Sequence, residues 1–178
     1  MKLKVIVTVV ILAALGLCLV ASPQNFKEGD IVFQISKSKQ SPLVQYATLS
    51  PWSHCGVIIE KGDKLYVLEA SNVVKLAPLD EWKKKGRFGI IKRKRVCKET
   101  VKIRYKKYLG IPYDLQFKFN NGKYYCSELV YEIYRDQLGI ELCKPKEIKH
   151  YNTLGIKKQM KRRGISSEQL AVAPCDLT

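Results

Sequence analysis

The sequence predicts an α+β domain in which an antiparallel sheet packs against helices. Residues 54–59 and 65–70 are short apolar segments joined by five polar residues, a pattern typical of a β-hairpin. Residues 126–138 carry apolar side chains three and four positions apart, and Gly139 follows them. That spacing, ended by a glycine, predicts an amphipathic helix.

The remaining predicted elements are shorter and connect these two. The chain alternates apolar runs with glycine, proline and polar turns, which mark where each element begins and ends. In chain order we predict a strand over 31–35, a helix over 42–49, a helix from 78 that ends before Gly86, a strand over 88–92, a helix within 97–109, a loop over 113–124, basic loops with a short helix over 144–164, and an extended segment over 171–178.

The hairpin register places two polar side chains together. If Lys61 and Gly62 form a two-residue loop, His54 lies opposite Glu69. Paired residues of antiparallel strands project from the same face, so the carboxylate would stand beside the imidazole. A slip of one residue would turn Glu69 to the other face.

The N-terminus has the pattern of a secretory signal. Lys2 and Lys4 precede an apolar run that ends near Ala21, and no basic cluster follows that run. We therefore expect a signal peptide over 1–21, a single domain over 22–178, and an exported protein, periplasmic or extracellular. A retained membrane anchor is the alternative, and lipidation at Cys18 is a lesser one because Leu17 precedes it.

Charge and cysteine content limit the partners. The net charge is +16, or about +14 without Lys2 and Lys4, which is typical either of a solvated basic surface or of attraction to an anionic cell-envelope polymer or lipid surface. No nucleic-acid partner is expected, because a secreted chain rarely meets one and no such motif is present. The chain has two histidines and no Cys-x-x-Cys, so we expect no metal site and no cofactor.

Cys126 begins the predicted helix, where a cysteine is either a small core residue or a nucleophile. A helix N-terminus carries partial positive charge and unpaired N–H groups, which lower a thiol pKa and hold an oxyanion. His54 supplies a base and Glu69 an acceptor for its ring. Together they predict nucleophilic catalysis by a Cys-His-Glu site. In an oxidising compartment Cys126 should then be the unpaired thiol, with Cys55, Cys97, Cys143 and Cys175 open to any pairing.

Six sequence blocks support this site as a set. They are Gly29-Asp30-Ile31-Val32-Phe33, Ser53-His54-Cys55-Gly56-Val57, Val67-Leu68-Glu69-Ala70, Pro78-Leu79-Asp80-Glu81-Trp82, Pro112-Tyr113-Asp114 and Tyr125-Cys126-Ser127-Glu128-Leu129-Val130. In this order they resemble the permuted NlpC/P60 cysteine hydrolases of the YiiX type. The resemblance covers about Gly29 to Gly139 and implies a circularly permuted papain-like fold. It also implies an amidase or peptidase that cleaves peptide-like substrates such as cell-wall fragments.

Other assignments stay open. Tyr113 and Tyr46 are candidate substrate-binding residues, and Tyr46, Gln34 and Tyr113 are candidates for the second oxyanion donor. An acyltransferase or lipid and ester hydrolase of the lecithin-retinol-acyltransferase-like branch is one alternative function, although that branch has Asn-Cys-Glu-His where this chain has Tyr-Cys-Ser-Glu-Leu. A non-catalytic basic binding protein is the other.

Overall fold

The computed structural model describes residues 25–178. The predicted signal peptide over 1–21 lies outside the described residues. Five strands form the main sheet. The strands are β1 (Ile31–Ser36), β2 (His54–Lys61), β3 (Lys64–Ala70), β4 (Val74–Pro78) and β5 (Gly86–Lys94). Their order is β4-β3-β2-β1-β5, with every neighbouring pair antiparallel.

Helices cover both faces of this sheet. The helices are α1 (Ser41–Thr48), α2 (Leu79–Lys85), α3 (Cys126–Leu138) and α4 (Lys157–Arg163). A second, two-stranded sheet joins β6 (Lys146–Glu147) to β7 (Leu170–Ala171), and short 3-10 turns lie at Tyr105–Tyr108, Ile148–His150 and Pro174–Leu177. The predicted α+β architecture is confirmed. None of the helices between residues 25 and 178 is long and apolar enough to cross a membrane.

Alternation along β2 divides the core into two clusters. Cys55, Val57 and Ile59 belong to the larger cluster, which α3 covers. Ile58 belongs to the smaller cluster on the opposite face, which is centred on the fully buried Trp82 of α2. Because successive strand residues point to opposite faces, His54 shares the face of Trp82 and Cys55 shares that of α3.

The hairpin register differs from the prediction by two residues. Lys61 pairs with Lys64 and Val57 with Leu68, so the loop is Gly62-Asp63 and His54 is not directly opposite Glu69. The predicted register was therefore wrong. A shift of two residues preserves the face, however, so Glu69 still lies diagonally beside His54.

The predicted helix within 97–109 is also wrong, because only the 3-10 turn Tyr105–Tyr108 forms there. Buried Glu28 accepts the Ile103 N–H at 2.7 Å, and Gln137 of α3 accepts the Arg104 N–H at 2.8 Å. These distant side chains take donors that a helix would have used. Strand β4 was not predicted, and of the C-terminal segment predicted as extended over 171–178, Ala171 is in a strand but Pro174–Leu177 is a 3-10 turn.

Candidate active site

Cys126 is the first residue of α3, and the end of that helix is fixed in place. The backbone N–H of Tyr125 donates to Glu128 Oε2 at 3.3 Å, which closes a cap around the first turn. The Tyr125 hydroxyl and the Ser127 hydroxyl both bond the backbone of Val172, at 3.1 and 2.7 Å. As a first-turn residue, Cys126 has a backbone N–H without a partner inside the helix. The start of α3 is thus held in place, and Cys126 carries an N–H with no partner inside the helix.

His54 lies at the start of β2 and reaches both predicted partners. Its Nε2 lies 2.6 Å from Glu69 Oε2, and the Cys126 thiol is close enough to raise the pKa of its ring. Because Nε2 is engaged by Glu69, Nδ1 is the ring nitrogen left for the thiol. The structure therefore brings Cys126, His54 and Glu69 together at one site.

Glu69 is almost completely buried and has a second donor that the sequence reasoning missed. Trp82 Nε1 donates to Glu69 Oε2 at 2.9 Å, the same oxygen that His54 contacts. The indole also packs near the imidazole, with ring centroids 6.0 Å apart. The available signal was the tryptophan that ends the block Pro78-Leu79-Asp80-Glu81-Trp82. Trp82 thus fixes the carboxylate that positions His54.

The electrostatics favour a thiolate–imidazolium pair. Burial disfavours a charged His54, but hydrogen bonds to Cys126 and Glu69 outweigh it and raise its pKa to about 10. A hydrogen bond from Cys55 and contact with His54 hold the pKa of Cys126 well below the ordinary thiol value, against the effect of burial. Burial also acts against ionisation of Glu69, yet His54, Lys85 and Lys75 lower the pKa of its carboxyl.

Cys55 is the second residue that the sequence reasoning missed at this site. It was left open to any disulfide pairing, and it is a free buried thiol beside Cys126 on the α3 face. Burial and the neighbouring Cys126 raise the pKa of Cys55. Cys55 therefore stays protonated and can act as a hydrogen-bond donor to Cys126. All five cysteines within residues 25–178 are free.

Two neighbouring pockets reach the site, one lined by Cys126 and the other by His54. The first, here called the apolar cavity, has a volume of about 110 Å³, and its lining includes Leu43, Phe117, Cys126, Ile156 and Met160. The second, here called the basic cleft, has a volume of about 560 Å³, and its lining includes Gln34, Lys37, His54, Lys75, Lys84 and Lys85. Val44, Ser53 and Tyr113 line both.

The structure separates the remaining candidate residues. Tyr113 lies at the junction of the two pockets, where burial and the negative charge of Cys126 raise its pKa and keep its hydroxyl protonated. Gln34 lies on the basic-cleft side. Tyr46 lines neither pocket and packs its ring against Gly155, so its position does not support substrate contact. Asp114 holds its own loop by accepting the Gln116 and Lys118 N–H groups.

Comparison with known proteins identifies the family. A family model described as a permuted papain-like amidase enzyme, YaeF/YiiX, C92 family, matches residues 25–177. The chain belongs to this amidase family. Both the resemblance to YiiX-type enzymes and the permuted papain-like fold are thereby confirmed, and the chain is a cysteine hydrolase of the amidase type.

Two relatives from Escherichia coli agree with this. The amidase is 34% identical over 158 residues to YiiX of strain K12, covering 82% of this chain and 78% of the relative. It is also similar to a solved structure described as metalloprotein yiiX from Escherichia coli O157:H7, with 33% identity and a TM-score of 0.78 over 85% of this chain and 91% of that one. Among residues 25–178 of the amidase, no group of three or more His, Cys, Asp or Glu side chains fits a metal ion.

Proposed function

We propose that this chain is an exported cysteine amidase in which Cys126 is the nucleophile, His54 the acid and base, and Glu69 the group that orients His54. The observation that carries the proposal is the series Cys126, His54 and Glu69 at the start of α3, in which His54 bonds Glu69 at 2.6 Å and the Cys126 and His54 groups shift each other's pKa toward the charged pair. A nucleophile bonded to a base, itself oriented by a third group, is the arrangement that covalent catalysis requires.

The reaction follows from the protonation states. The Cys126 thiolate attacks the carbonyl carbon of the amide, and the electron pair of the C=O bond moves to oxygen. When the tetrahedral intermediate collapses, the C–N bond breaks and His54 gives its proton to the leaving amine. Water, deprotonated by His54, then attacks the thioester and releases a carboxylic acid and the free thiol.

Two donors are available for the oxyanion. The backbone N–H of Cys126 lies in the first turn of α3, where it has no partner within the helix and where the helix end favours negative charge. Tyr113 lines the same cavity as Cys126 and keeps its hydroxyl protonated, whereas Gln34 belongs to the basic cleft and Tyr46 to neither pocket. Tyr113 is therefore the second donor in this proposal, and it also contacts the substrate.

The apolar cavity sets the character of the acyl group. Its lining is almost entirely nonpolar, so the half of the substrate that stays on Cys126 is apolar. At about 110 Å³ it is smaller than the ~150 Å³ cavity that holds benzene. A peptide-like amide with a compact apolar side chain fits this space, and fragments of cell-wall peptides are the substrates we propose.

The same cavity supports a second candidate, hydrolysis or transfer of a lipid acyl group from an ester or amide. Its nonpolar lining suits the first methylenes of an acyl chain, but its volume admits only a short part of one. Chain-length series distinguish the two: the peptide-like proposal expects kcat/KM to fall as the acyl group grows beyond a leucine-sized side chain, and the lipid proposal expects it to rise.

Export and an anionic docking surface complete the proposal. Export is supported by the signal-like composition of residues 1–21, and an exported protein should begin near Ser22 when its N-terminus is sequenced from the envelope fraction. The high positive charge supports attraction to an anionic envelope polymer or lipid surface. No nucleic acid is involved in this function.

The decisive experiment replaces the nucleophile and the base. Cys126→Ala and His54→Ala should each abolish amide turnover, because the two groups act as a unit. Cys143→Ala and His150→Ala are matched controls of the same residue types outside the site, and thermal melts show whether each variant is folded. Near-normal turnover by either site variant contradicts the assignment, as does an active enzyme with Cys126 in a disulfide. Failure of an alkylating reagent to prefer Cys126 at neutral pH would favour the non-catalytic binding protein.

A further inference from the structure

The two pockets lie on opposite sides of the bond that is cleaved. Cys126, which keeps the acyl half, lines the apolar cavity, and His54, which protonates the leaving amine, lines the basic cleft. Given the proposed catalytic roles, on which this inference rests, the amine half of the substrate must lie within reach of His54. The basic cleft therefore holds the leaving group.

Four lysines give this cleft an excess of positive charge. Lys37, Lys75, Lys84 and Lys85 line it, and the sole acidic side chain in its described lining is Glu69, already bonded to His54 and Trp82. Lys75 Nζ lies 3.9 Å from Glu69 Oε1. The other three lysines form no ion pair with a carboxylate among residues 25–178, although Lys85 lies close enough to Glu69 to lower the pKa of its carboxyl. Their charge is therefore available to a ligand.

Backbone carbonyls of Lys84 and Lys85 hold Lys37 beside them. Lys37 Nζ donates to the Lys84 carbonyl at 2.9 Å, and the Lys37 N–H donates to the Lys85 carbonyl at 3.3 Å. These bonds hold the segment after β1 against the end of α2. Two basic segments from different parts of the chain are thus drawn together on one wall of the cleft.

Buried polar atoms in the cleft also lack partners. Gln34 Oε1, Gln40 Oε1 and Ser71 Oγ are buried and have no hydrogen-bond partner among the described residues, and all three residues line the basic cleft. A buried polar atom without a partner costs about 1–3 kcal/mol. The three residues therefore add polar side chains, beside the lysines, to the lining that a polar leaving half would meet.

We propose that the basic cleft recognises an anionic group on the leaving amine, so that the preferred substrates are amides of amines that carry a carboxylate or a phosphate. The acyl half fills the apolar cavity, the scissile bond lies between Cys126 and His54, and the anion sits among the four lysines. The enzyme then releases an apolar carboxylic acid and an anionic amine.

The test compares substrates that share one acyl group. The carboxylate arm pairs the N-acyl glycine with the N-acyl glycinamide, and the phosphate arm pairs N-acyl aminoethyl phosphate with N-acyl ethanolamine. In at least one arm kcat/KM should be about tenfold or more higher for the anionic member, equivalent to about 1.4 kcal/mol. The arm that shows the preference identifies the anion.

Two triple variants with equal charge change locate the effect. Lys37→Gln/Lys84→Gln/Lys85→Gln should reduce the preference to within about twofold. Lys61→Gln/Lys64→Gln/Lys98→Gln should preserve it, since Lys61 lies at the far end of β2 from His54, about 23 Å away at the usual rise per strand residue. Equal kcat/KM for both members in both arms overturns the proposal, and so does an equal loss of preference in the two triple variants.

Binding to an inactive variant separates this inference from the catalytic proposal. Calorimetry on Cys126→Ala measures affinity for the same four compounds without turnover. Tighter binding of the anionic member, lost when the three cleft lysines are also replaced, supports the cleft assignment even if the wild-type protein cleaves none of the amides. Equal affinities for charged and neutral members overturn it even if the wild-type protein cleaves all of them.

Discussion

Replacing Glu69 with glutamine tests how the imidazole is held. Glu69 Oε2 accepts from both His54, at 2.6 Å, and Trp82, at 2.9 Å. A glutamine amide has one oxygen and one NH2, and only the oxygen can face the indole N–H. Trp82 therefore orients the amide so that its oxygen also faces His54 Nε2, and the ring keeps the tautomer that the reaction needs.

The expected loss of kcat/KM in Glu69→Gln is the part that the negative charge of Glu69 contributes. A hydrogen bond to a charged group contributes about 1.5–3 kcal/mol and a neutral one about 1 kcal/mol, so Glu69→Gln should cost about 0.5–2 kcal/mol. That corresponds to roughly a 2- to 30-fold lower kcat/KM. The pKa of His54, now raised to about 10 by Cys126 and Glu69, should fall, so the alkaline limb of the pH–rate profile moves to lower pH.

The double variant Glu69→Gln/Trp82→Phe shows whether Trp82 has this role. Without the indole N–H the amide can turn its NH2 toward His54 and favour the wrong tautomer, a change that costs ~10⁴-fold in the serine-protease triad. Trp82→Phe alone should have a small effect, because a carboxylate has no wrong orientation. The assay is kcat/KM for all four proteins, with thermal melts because Trp82 is fully buried. The reasoning is refuted if the fold-loss of kcat/KM in the double variant is no larger than the product of the two single-variant losses. It is also refuted if Glu69→Gln loses as much kcat/KM as Cys126→Ala.

Three further perturbations test the neighbours of the site and the charged surface. Cys55→Ala removes the thiol that lowers the pKa of Cys126, so that pKa should rise and the midpoint of the Cys126 alkylation rate against pH should move upward. An unchanged midpoint would show that Cys55 does not lower the pKa of Cys126. In Gly56→Ala the new Cβ would lie 2.4 Å from Val67 Cγ1 and 2.7 Å from the Leu68 carbonyl oxygen, so chemical denaturation should show a loss of about 1–3 kcal/mol, and wild-type stability would contradict the crowding. Binding to an anionic polymer or vesicle should weaken steeply as salt is added, because charges are screened over about 8 Å at physiological ionic strength. Turnover of a small neutral amide should hardly change, and equal salt responses of binding and turnover would refute a separate docking surface.

Local pattern was sufficient to predict the elements that carry the site. The helix that begins at Cys126 ends at Leu138 as predicted, because the apolar spacing and Gly139, in the left-handed conformation with φ 65°, are both properties of a short stretch of chain. The hairpin was predicted for the same reason. Its exact register was not, since the choice between Lys61-Gly62 and Gly62-Asp63 as the loop depends on how the strands pack.

By itself, then, the sequence determined the family, the α+β class and the three residues of the proposed series. Only the tertiary structure decided that Trp82 bonds the same carboxylate oxygen as His54, that Cys55 lies close enough to Cys126 to lower its pKa, and that Tyr113 lines both pockets while Tyr46 lines neither. It also divided the site into an apolar cavity and a basic cleft. The physical reason is that these contacts join residues on separate elements, and which side chains meet is set by the packing of whole faces, a property that no local periodicity encodes.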